Sequence, residues 1–451
     1  MMDLPVQQFR TSAEQEFLDS FVAAEKGLPG SGDAFVSGLR STAIATYGKL
    51  GLPHRRIEAW KYTDLRSRLT DAQGPLQATG VPLTDAEMER AIGAAVLAMP
   101  AYRLVVVEGE LRADLSDVTG LKAAGVEVLS LAEELEKPSA WLKATLGTVN
   151  PREDDAILAL NTALMTGGVV LRVPKGVTVT KPVHILHLDG TGEPVGSITR
   201  NIVAAEEGAS ITVLESYGGL GGRGLQRNAV TEVMIADKAS VTHYKLQRED
   251  SEAFHLSTWL VRLGADARYE AFQFSLGAGL SRNQIFVRFE GEGSSVHASG
   301  AFMMRGRQHC DTTLLIEHRV PHCESRELFK TVLDDEARGV FQGKIIVSPG
   351  AQKTDSKQMA QALLLSEAAE FDSKPELEIF ADDVVCGHGA TSGQIDDDLL
   401  FYLESRGIPE PQARALMVQA FIGEALEQVA NEDLRDAFTH ASAEWLGVEI
   451  D

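Results

Sequence analysis

The sequence predicts a mainly β protein, a stacked β-helix framed by helical segments at both ends, and three observations carry that expectation. From about residue 168 to 395, short β-branched runs such as Val169-Val170-Leu171-Arg172-Val173 alternate with Gly, Asp-Gly and Pro-Gly turn signals. Within that stretch, segments opening at Gly208, Lys238, Gly264 and Gly293 (Gly-Ala-Ser-Ile-Thr-Val and its variants) start 30, 26 and 29 residues apart, and Arg-Asn pairs recur at Arg200, Arg227 and Arg282. Outside it, apolar residues fall at three- and four-residue spacing. A propeller blade needs four strands in about 40–45 residues, whereas this shorter period holds two or three, so coils stacked on coils fit better. A β-sandwich with chance similarity between its strands is the competing architecture.

Taken in order, residues 1–99 read as a helical domain. Ala13 to Val22 carries an amphipathic pattern, and Thr84 with Glu87 three residues later marks a capped helix start. Residues 100–167 form a mixed α/β lead-in with a strand at Arg103-Leu104-Val105-Val106-Val107. Residues 168–395 are the β core, and 396–451 turn helical again. There Pro409 to Val429 places Leu416, Ala420, Phe421, Ala425, Leu426 and Val429 on one apolar stripe. Such a stripe packs either on its own domain or on another protein.

The chain has 451 residues, with 42 Lys+Arg against 65 Asp+Glu and a net charge of −23, which repels nucleic-acid phosphates. Residues 366–451 alone hold 20 acidic and 4 basic residues, so the surface meeting this end should be basic. The longest uncharged stretch, Ala156 to Leu171, is interrupted by Asn161, Thr162, Thr166, Gly167 and Gly168 and is too polar for a membrane span. Met1-Met2-Asp3-Leu4-Pro5-Val6-Gln7 lacks a basic region followed by an apolar one, so no signal peptide is expected. Three cysteines give no disulfide framework, and reduced thiols in the cytoplasm follow.

Candidate ligands occur in two places. His309-Cys310, His318 and His322-Cys323 lie close in sequence, but strand neighbours face opposite sides, so neither dipeptide can aim both members at one ion. A structural role is expected for Cys310 and Cys323. Cys386 and His388, in Val385-Cys386-Gly387-His388-Gly389-Ala390-Thr391, share one face of an extended strand, and thiol and imidazole both suit iron or zinc. Gly387 and Gly389 on the other face admit close approach of another backbone. Two ligands do not close a four-coordinate site, so a metal here is labile or completed by a second chain; an inert buried pair is the alternative.

Enzyme templates match poorly. The chain has no Gly-x-Ser-x-Gly elbow, phosphate loop or His-Glu-x-x-His, and Gly218 to Gly224 lacks dinucleotide-binding spacing. The carboxylates of Asp334-Asp335-Glu336 and Asp382-Asp383 leave a β-helix polysaccharide-active enzyme as an alternative of another class.

The residues also carry a resemblance. Arg55-Arg56-Ile57-Glu58-Ala59-Trp60-Lys61-Tyr62-Thr63-Asp64-Leu65, Phe341-Gln342-Gly343-Lys344-Ile345, Ala351-Gln352-Lys353-Thr354-Asp355-Ser356 and Lys374-Pro375-Glu376-Leu377-Glu378-Ile379 through Thr391 resemble the SufB/SufD family of the Suf iron–sulfur cluster assembly machinery. The Trp-Lys-Tyr and Cys-Gly-His-Gly sequences favour its SufD branch. The resemblance implies a right-handed parallel β-helix core and a non-catalytic scaffold assembled with the paralogue SufB and the ATPase SufC. It implies that His388, and less firmly Cys386, ligates a nascent cluster or iron shared with SufB, and that C-terminal residues Arg414, Leu416, Met417, Ala420, Phe421 and Leu426 dock SufC. It also implies reduced flavin in the full complex, and it leaves open a homodimer of the isolated chain through the same β-helix edge.

Overall fold

A computed structural model describes residues 10–75, 82–150, 152–189, 194–221 and 224–448; the leader reading at Met1–Gln7, and Gly222 and Arg223 of the glycine-rich loop, lie outside them. The chain is mainly β, a parallel solenoid of about 8 turns with helices at both ends. One sheet stacks β5 (Val183–Asp189), β7 (Ser210–Gly219), β9 (Ser240–Gln247), β11 (Arg268–Ser275), β13 (Ser295–Met304), β15 (Glu324–Leu333), β17 (Asp355–Leu364) and β19 (Val385–Gln394). At its start it is extended by β1 (Tyr102–Val107), parallel to β5, with β2 (Glu110–Leu111) antiparallel to β1, so the sheet recruits residues from before 168. The facing sheet stacks β4 (Val169–Val173), β6 (Gly196–Ala205), β8 (Gln226–Ile235), β10 (Phe254–Leu263), β12 (Leu280–Phe289), β14 (His309–His318), β16 (Arg338–Val347) and β18 (Glu370–Ile379), with β3 (Glu127–Ser130) antiparallel on β4.

Between the sheets, like residues stack on like. Val203, Val233, Val261, Val287, Ile316 and Ile345 occupy one column through six consecutive strands, all buried. β-Branched side chains stand well on a pleated surface, and each full burial contributes about 1.5–3 kcal/mol.

The repeat read from sequence is a turn. Gly176, Gly208, Lys238, Asp266, Gly293, His322 and Lys353 all hold positive φ, between 53° and 74°, at equivalent corners of successive coils. Each corner bonds the next: Gly208 N donates to Asp237 O, Lys238 N to Ala265 O, and Asp266 N to Glu292 O. Small or polar residues recur here because the left-handed conformation penalises bulk at Cβ. Two alignments need correction. The residue in register with Lys238 is Asp266, not Gly264, since Ser240 pairs with Arg268. The Arg-Asn pairs do not superpose either, because Arg227 stands beside Ser197 and His255 while Arg282 stands beside Leu256.

The N-terminal helices α1 (Ser12–Ala24), α2 (Ala34–Leu50), α3 (Leu65–Arg68), α4 (Asp85–Ile92) and α5 (Ala94–Ala98) precede the sheet, and α6 (Val118–Ala123), α7 (Leu131–Glu136), α8 (Ala140–Thr145) and α9 (Ala156–Leu164) lead into it. Thr84 and Glu87 form the expected capping box of α4. The uncharged stretch from Ala156 is the buried helix α9, Asp155 capping its first turn, and no described helix is long and apolar enough to cross a membrane. After β19 come α10 (Asp397–Ser405), α11 (Glu410–Leu426) and α12 (Glu432–Leu446). Phe438 of α12 packs on Phe272 and Phe274 of β11, with ring centroids 5.8 and 5.5 Å apart.

A strap formed by residues 53–64 crosses the outer face of the second sheet. Trp60 lies 3.7 Å from the Arg282 guanidinium, whose Nη2 donates to Ala59 O at 2.6 Å. Arg282 also pairs with Asp311, to which Thr63 Oγ1 donates, and Gln342 Nε2 reaches Ala59 O at 3.3 Å. Glu58 then pairs with Lys374 on β18, so one short segment spans four strands to the last coil.

Candidate functional site

The last coil differs from every coil before it. β18 and β19 end their sheets, each paired on one side only, and neither carries a fully buried residue. Ile379, Phe380 and Val385 stand exposed at its corner, Phe380 at 61%. An open strand edge with an apolar rim is a template for pairing with another chain.

Cys386 and His388 lie on β19, and its register fixes where they point. Cys386 stands above Ser356, which stands above Ser325, and His388 stands above Gln358, above Glu327. The same parity carries Ala360 and Phe329 into the core between the sheets, so both candidate ligands belong to the inward face of the open end. The same-face expectation for this pair agrees with that register. Cys386 is half-buried and His388 exposed. Burial pushes the Cys386 thiol up, and Asp355 and Glu327 add to the rise; a bound metal supplies the positive charge that the thiolate needs. Gly387 faces open space, and a Cβ on Gly389 would come within 2.7 Å of Met359 Cε. The close neighbour here is therefore a side chain at Gly389, while Gly387 is free for a group from elsewhere.

The other histidines and cysteines do not converge. His309 faces outward, 2.8 Å from Thr63 Oγ1, whereas Cys310 is buried between the sheets. His318 points inward, with Nε2 3.2 Å from Ser325 Oγ, and His322 is one of the left-handed corners. Cys323 is buried at that corner, beside the carbonyls of Gly291 and Pro321. No three His, Cys, Asp or Glu side chains group as a metal site among the described residues. The carboxylate pairs are corner residues too: Asp334 accepts from Asp335 N, and Asp383 pairs with Lys353. In the glycine-rich loop, a Cβ on Gly218 would meet Ala91 O at 2.7 Å, so this glycine admits α4 rather than a phosphate.

The C-terminal stripe is redistributed. Ala413, Ala415, Val418, Ile422, Ala425 and Leu426 form the buried face of α11, which packs over β13 and β15. Leu426 therefore belongs to the protein's own core. Arg414, Leu416 and Ala420 are exposed, Met417 and Phe421 half-buried, and Arg414 Nε pairs with Glu410 at 2.8 Å. Lys330 sits 4.3 Å over the Phe421 ring and pairs with Glu424. Sequence reasoning missed the neighbouring surface of α10, where Leu399, Tyr402 and Phe401, the last 72% exposed, stand in solvent. The signal was available as three large apolar residues around Leu400, whose own burial takes the inward position.

It also missed a polar interior. Arg227 is buried between Asp189 and Glu249, 2.8 Å from the latter, and Lys245 Nζ reaches Ser257 Oγ at 2.8 Å. Burial holds Lys245 down to about 8 and His255 to about 4. These groups satisfy one another inside the middle coils. Their signal was charged residues at inward parity of strands.

Comparison with known proteins agrees with this architecture. Residues 187–421 match the family described as SUF system FeS cluster assembly, SufBD core domain, and residues 11–185 match the SufBD protein N-terminal region. The chain is 33% identical over 414 residues to an iron–sulfur cluster assembly SufBD family protein of Synechocystis, covering 89% of each. It is 32% identical over 390 residues to the iron–sulfur cluster assembly protein SufD of Escherichia coli, covering 86% of this chain and 88% of that one. Its identity to SufD of Bacillus subtilis is 28% over 435 residues, covering 94% and 96%. A two-sheet parallel solenoid that ends in an open coil carrying an inward thiol and imidazole is thus the core of a chain that belongs to the SufBD family of the SUF iron–sulfur cluster assembly system.

Proposed function

We propose that the chain takes the SufD role in Suf iron–sulfur cluster assembly, as a non-catalytic, cytoplasmic scaffold subunit. The observation that carries this reading is the open last coil, whose free edge presents His388 and Cys386 inward beneath an apolar rim. A SufB-type paralogue adds its own solenoid at that edge, backbone to backbone, and completes the ligand set that two side chains leave open. His388 is the favoured ligand because it is exposed at the edge, and Cys386 stands beside it. The isolated chain pairs with a second copy through the same edge. A SufC-type ATPase docks on the exposed side of α10 and α11, where Arg414, Leu416, Met417, Ala420 and Phe421 lie beside Leu399, Phe401 and Tyr402. Because α11 rests on β13 and β15, its movement reaches the coils under the site.

The reduced flavin that the resemblance attaches to the assembled complex does not match the cleft between α2, α9 and the second sheet. That cleft, of about 570 Å³, has no aromatic lining residue, and the Arg200 guanidinium in it is committed to Glu232 and Thr162. These residues do not fit a flavin.

The test is His388→Ala in a complex reconstituted with a SufB-type partner and the ATPase. Cluster formation, followed by its visible absorbance, should be lost while the thermal melt is unchanged. Normal assembly by this variant would remove His388 from the site.

A further inference from the structure

Beneath the rim lies a polar column that the rim does not use. Of the two inward columns under β19, the one below Cys386 is satisfied: Ser325 and Ser356 share a hydrogen bond of 2.6 Å, and His318 reaches Ser325. The one below His388 is not. Glu327 and Gln358 are each 3% exposed, and neither carboxylate oxygen of Glu327 nor either amide atom of Gln358 has a hydrogen-bond partner. Two buried polar groups left without partners in one column are a penalty, since burial strips their water and returns no hydrogen bond.

The surroundings do not relieve it. Arg326 and Lys330, the nearest cations along β15, have the opposite parity and pair with Asp355 and Glu424. Burial accordingly pushes the Glu327 carboxyl up to about 8, with Ser325 and Arg326 opposing it. The Gln358 amide lies across the interior against Gly343 of the facing sheet, where a Cβ would come within 2.3 Å of both its Oε1 and Nε2. The fold thus leaves out a side chain on β16 to seat a long polar one that bonds to nothing. A leucine at either position would fill the same space without the penalty. A carboxylate and an amide oxygen stacked in one buried column form an oxygen-donor set for a hard divalent cation.

We propose that Glu327 and Gln358 form an inner oxygen-donor station for a divalent metal ion, ferrous iron as cargo, beneath the His388 rim of the solenoid. Strands lie about 4.8 Å apart, so Glu327, two strands down, is about 10 Å from His388 along the stack. One ion cannot bridge them, and the station is a second stop rather than another rim ligand. Binding replaces the carboxyl proton with the ion, and water completes the coordination. The inference rests on the reading that His388 and Cys386 hold iron or a nascent cluster at this end of the solenoid.

The probe is Mn²⁺, titrated into the full-length chain without partners at pH 7.5 and followed by the electron paramagnetic resonance signal of the free ion. The wild type and the His388→Ala and Cys386→Ala variants should bind one Mn²⁺ that Glu327→Gln and Glu327→Leu bind at least tenfold more weakly. The Glu327 variants should melt no lower than the wild type, because the orphaned carboxyl is gone. Equal binding by the wild type and Glu327→Gln overturns the proposal, as does loss of the ion in His388→Ala, which places it at the rim. Cluster assembly by His388→Ala in the complex is a separate readout and bears only on the rim.

Discussion

Removing the Asp311 carboxylate should release the strap without unfolding the solenoid. Asp311 is fully buried and pairs with Arg282, itself fully buried. In Asp311→Ala the guanidinium keeps only the Trp60 ring and the Ala59 carbonyl. Breaking one partner of a buried pair costs about 3–5 kcal/mol, because the remaining charge is left uncompensated. The alternative open to the molecule is to let the strap lift and water reach Arg282. The loss should therefore fall on strap opening, and 3–5 kcal/mol corresponds to about two to three and a half orders of magnitude in the opening equilibrium. Hydrogen exchange reads this directly at the Thr63 amide, which donates to Trp60 O. Its protection should fall by that factor while the core amides of β12 and β14 keep theirs. Arg282→Met with Asp311→Leu removes both charges and should restore most of the protection. Lys374→Ala removes an exposed pair with Glu58 and should cost less than about 1 kcal/mol. Unchanged Thr63 exchange in Asp311→Ala, or an equal rise in β12 and β14, would refute the reasoning.

Stability should rise from pH 5 to about pH 7 and change little from there to pH 8. Burial holds His184 and His309 down to about 3 and His187, His255 and His318 to about 4, so below pH 6.5 the unfolded chain binds more protons and stability falls. Glu327, raised to about 8, holds an extra proton in the folded chain between pH 4.5 and 8 and opposes that rise, while Lys245, held down to about 8, offsets Glu327 near the upper end. Urea melts at pH 5, 6.5 and 8 check this, and Glu327→Gln should steepen the rise from pH 5 to 8. A Cβ at Gly387 meets nothing within 4 Å, so the melt of Gly387→Val should match the wild type while co-purification of the SufB-type partner is lost; retained partner would place the interface elsewhere. Phe401→Asp with Leu416→Glu, both on exposed positions, should abolish ATPase co-purification without changing the melt, whereas Val418→Asp in the buried face should lower the melt itself.

The stacked coils were legible because a left-handed corner recurs in seven successive coils and favours a narrow set of residues; Gly208, Lys238 and Gly293 report that turn even though the strands between them share little. The Arg-Asn pairs misled because an Arg serves equally as an outward anchor for the strap, as Arg282 does, and as an inward ion pair, as Arg227 does. Cys386 and His388 were legible from parity alone, since two-residue spacing on a strand fixes a common face. Which face could not be read, and for the same reason Glu327 was hidden: in Ser325-Arg326-Glu327-Leu328-Phe329-Lys330 both parities carry polar residues. The α11 stripe was misassigned because the helix packs close to the sheet. Small residues such as Ala413 and Ala425 take the inside, and bulkier Leu416 is left out.

On the proposed reading, the unpaired last coil makes this subunit's hold on metal at the rim depend on its company. A coil in a solenoid draws stability from its two neighbours, and the coil bearing Cys386 and His388 has one. Its candidate ligands sit where local opening is easiest, so a coil docked from another chain would stiffen the site through the contacts that join the chains. Retention and pairing become a single equilibrium. On the proposed reading, a subunit made in excess of its partner would lose iron from the rim first.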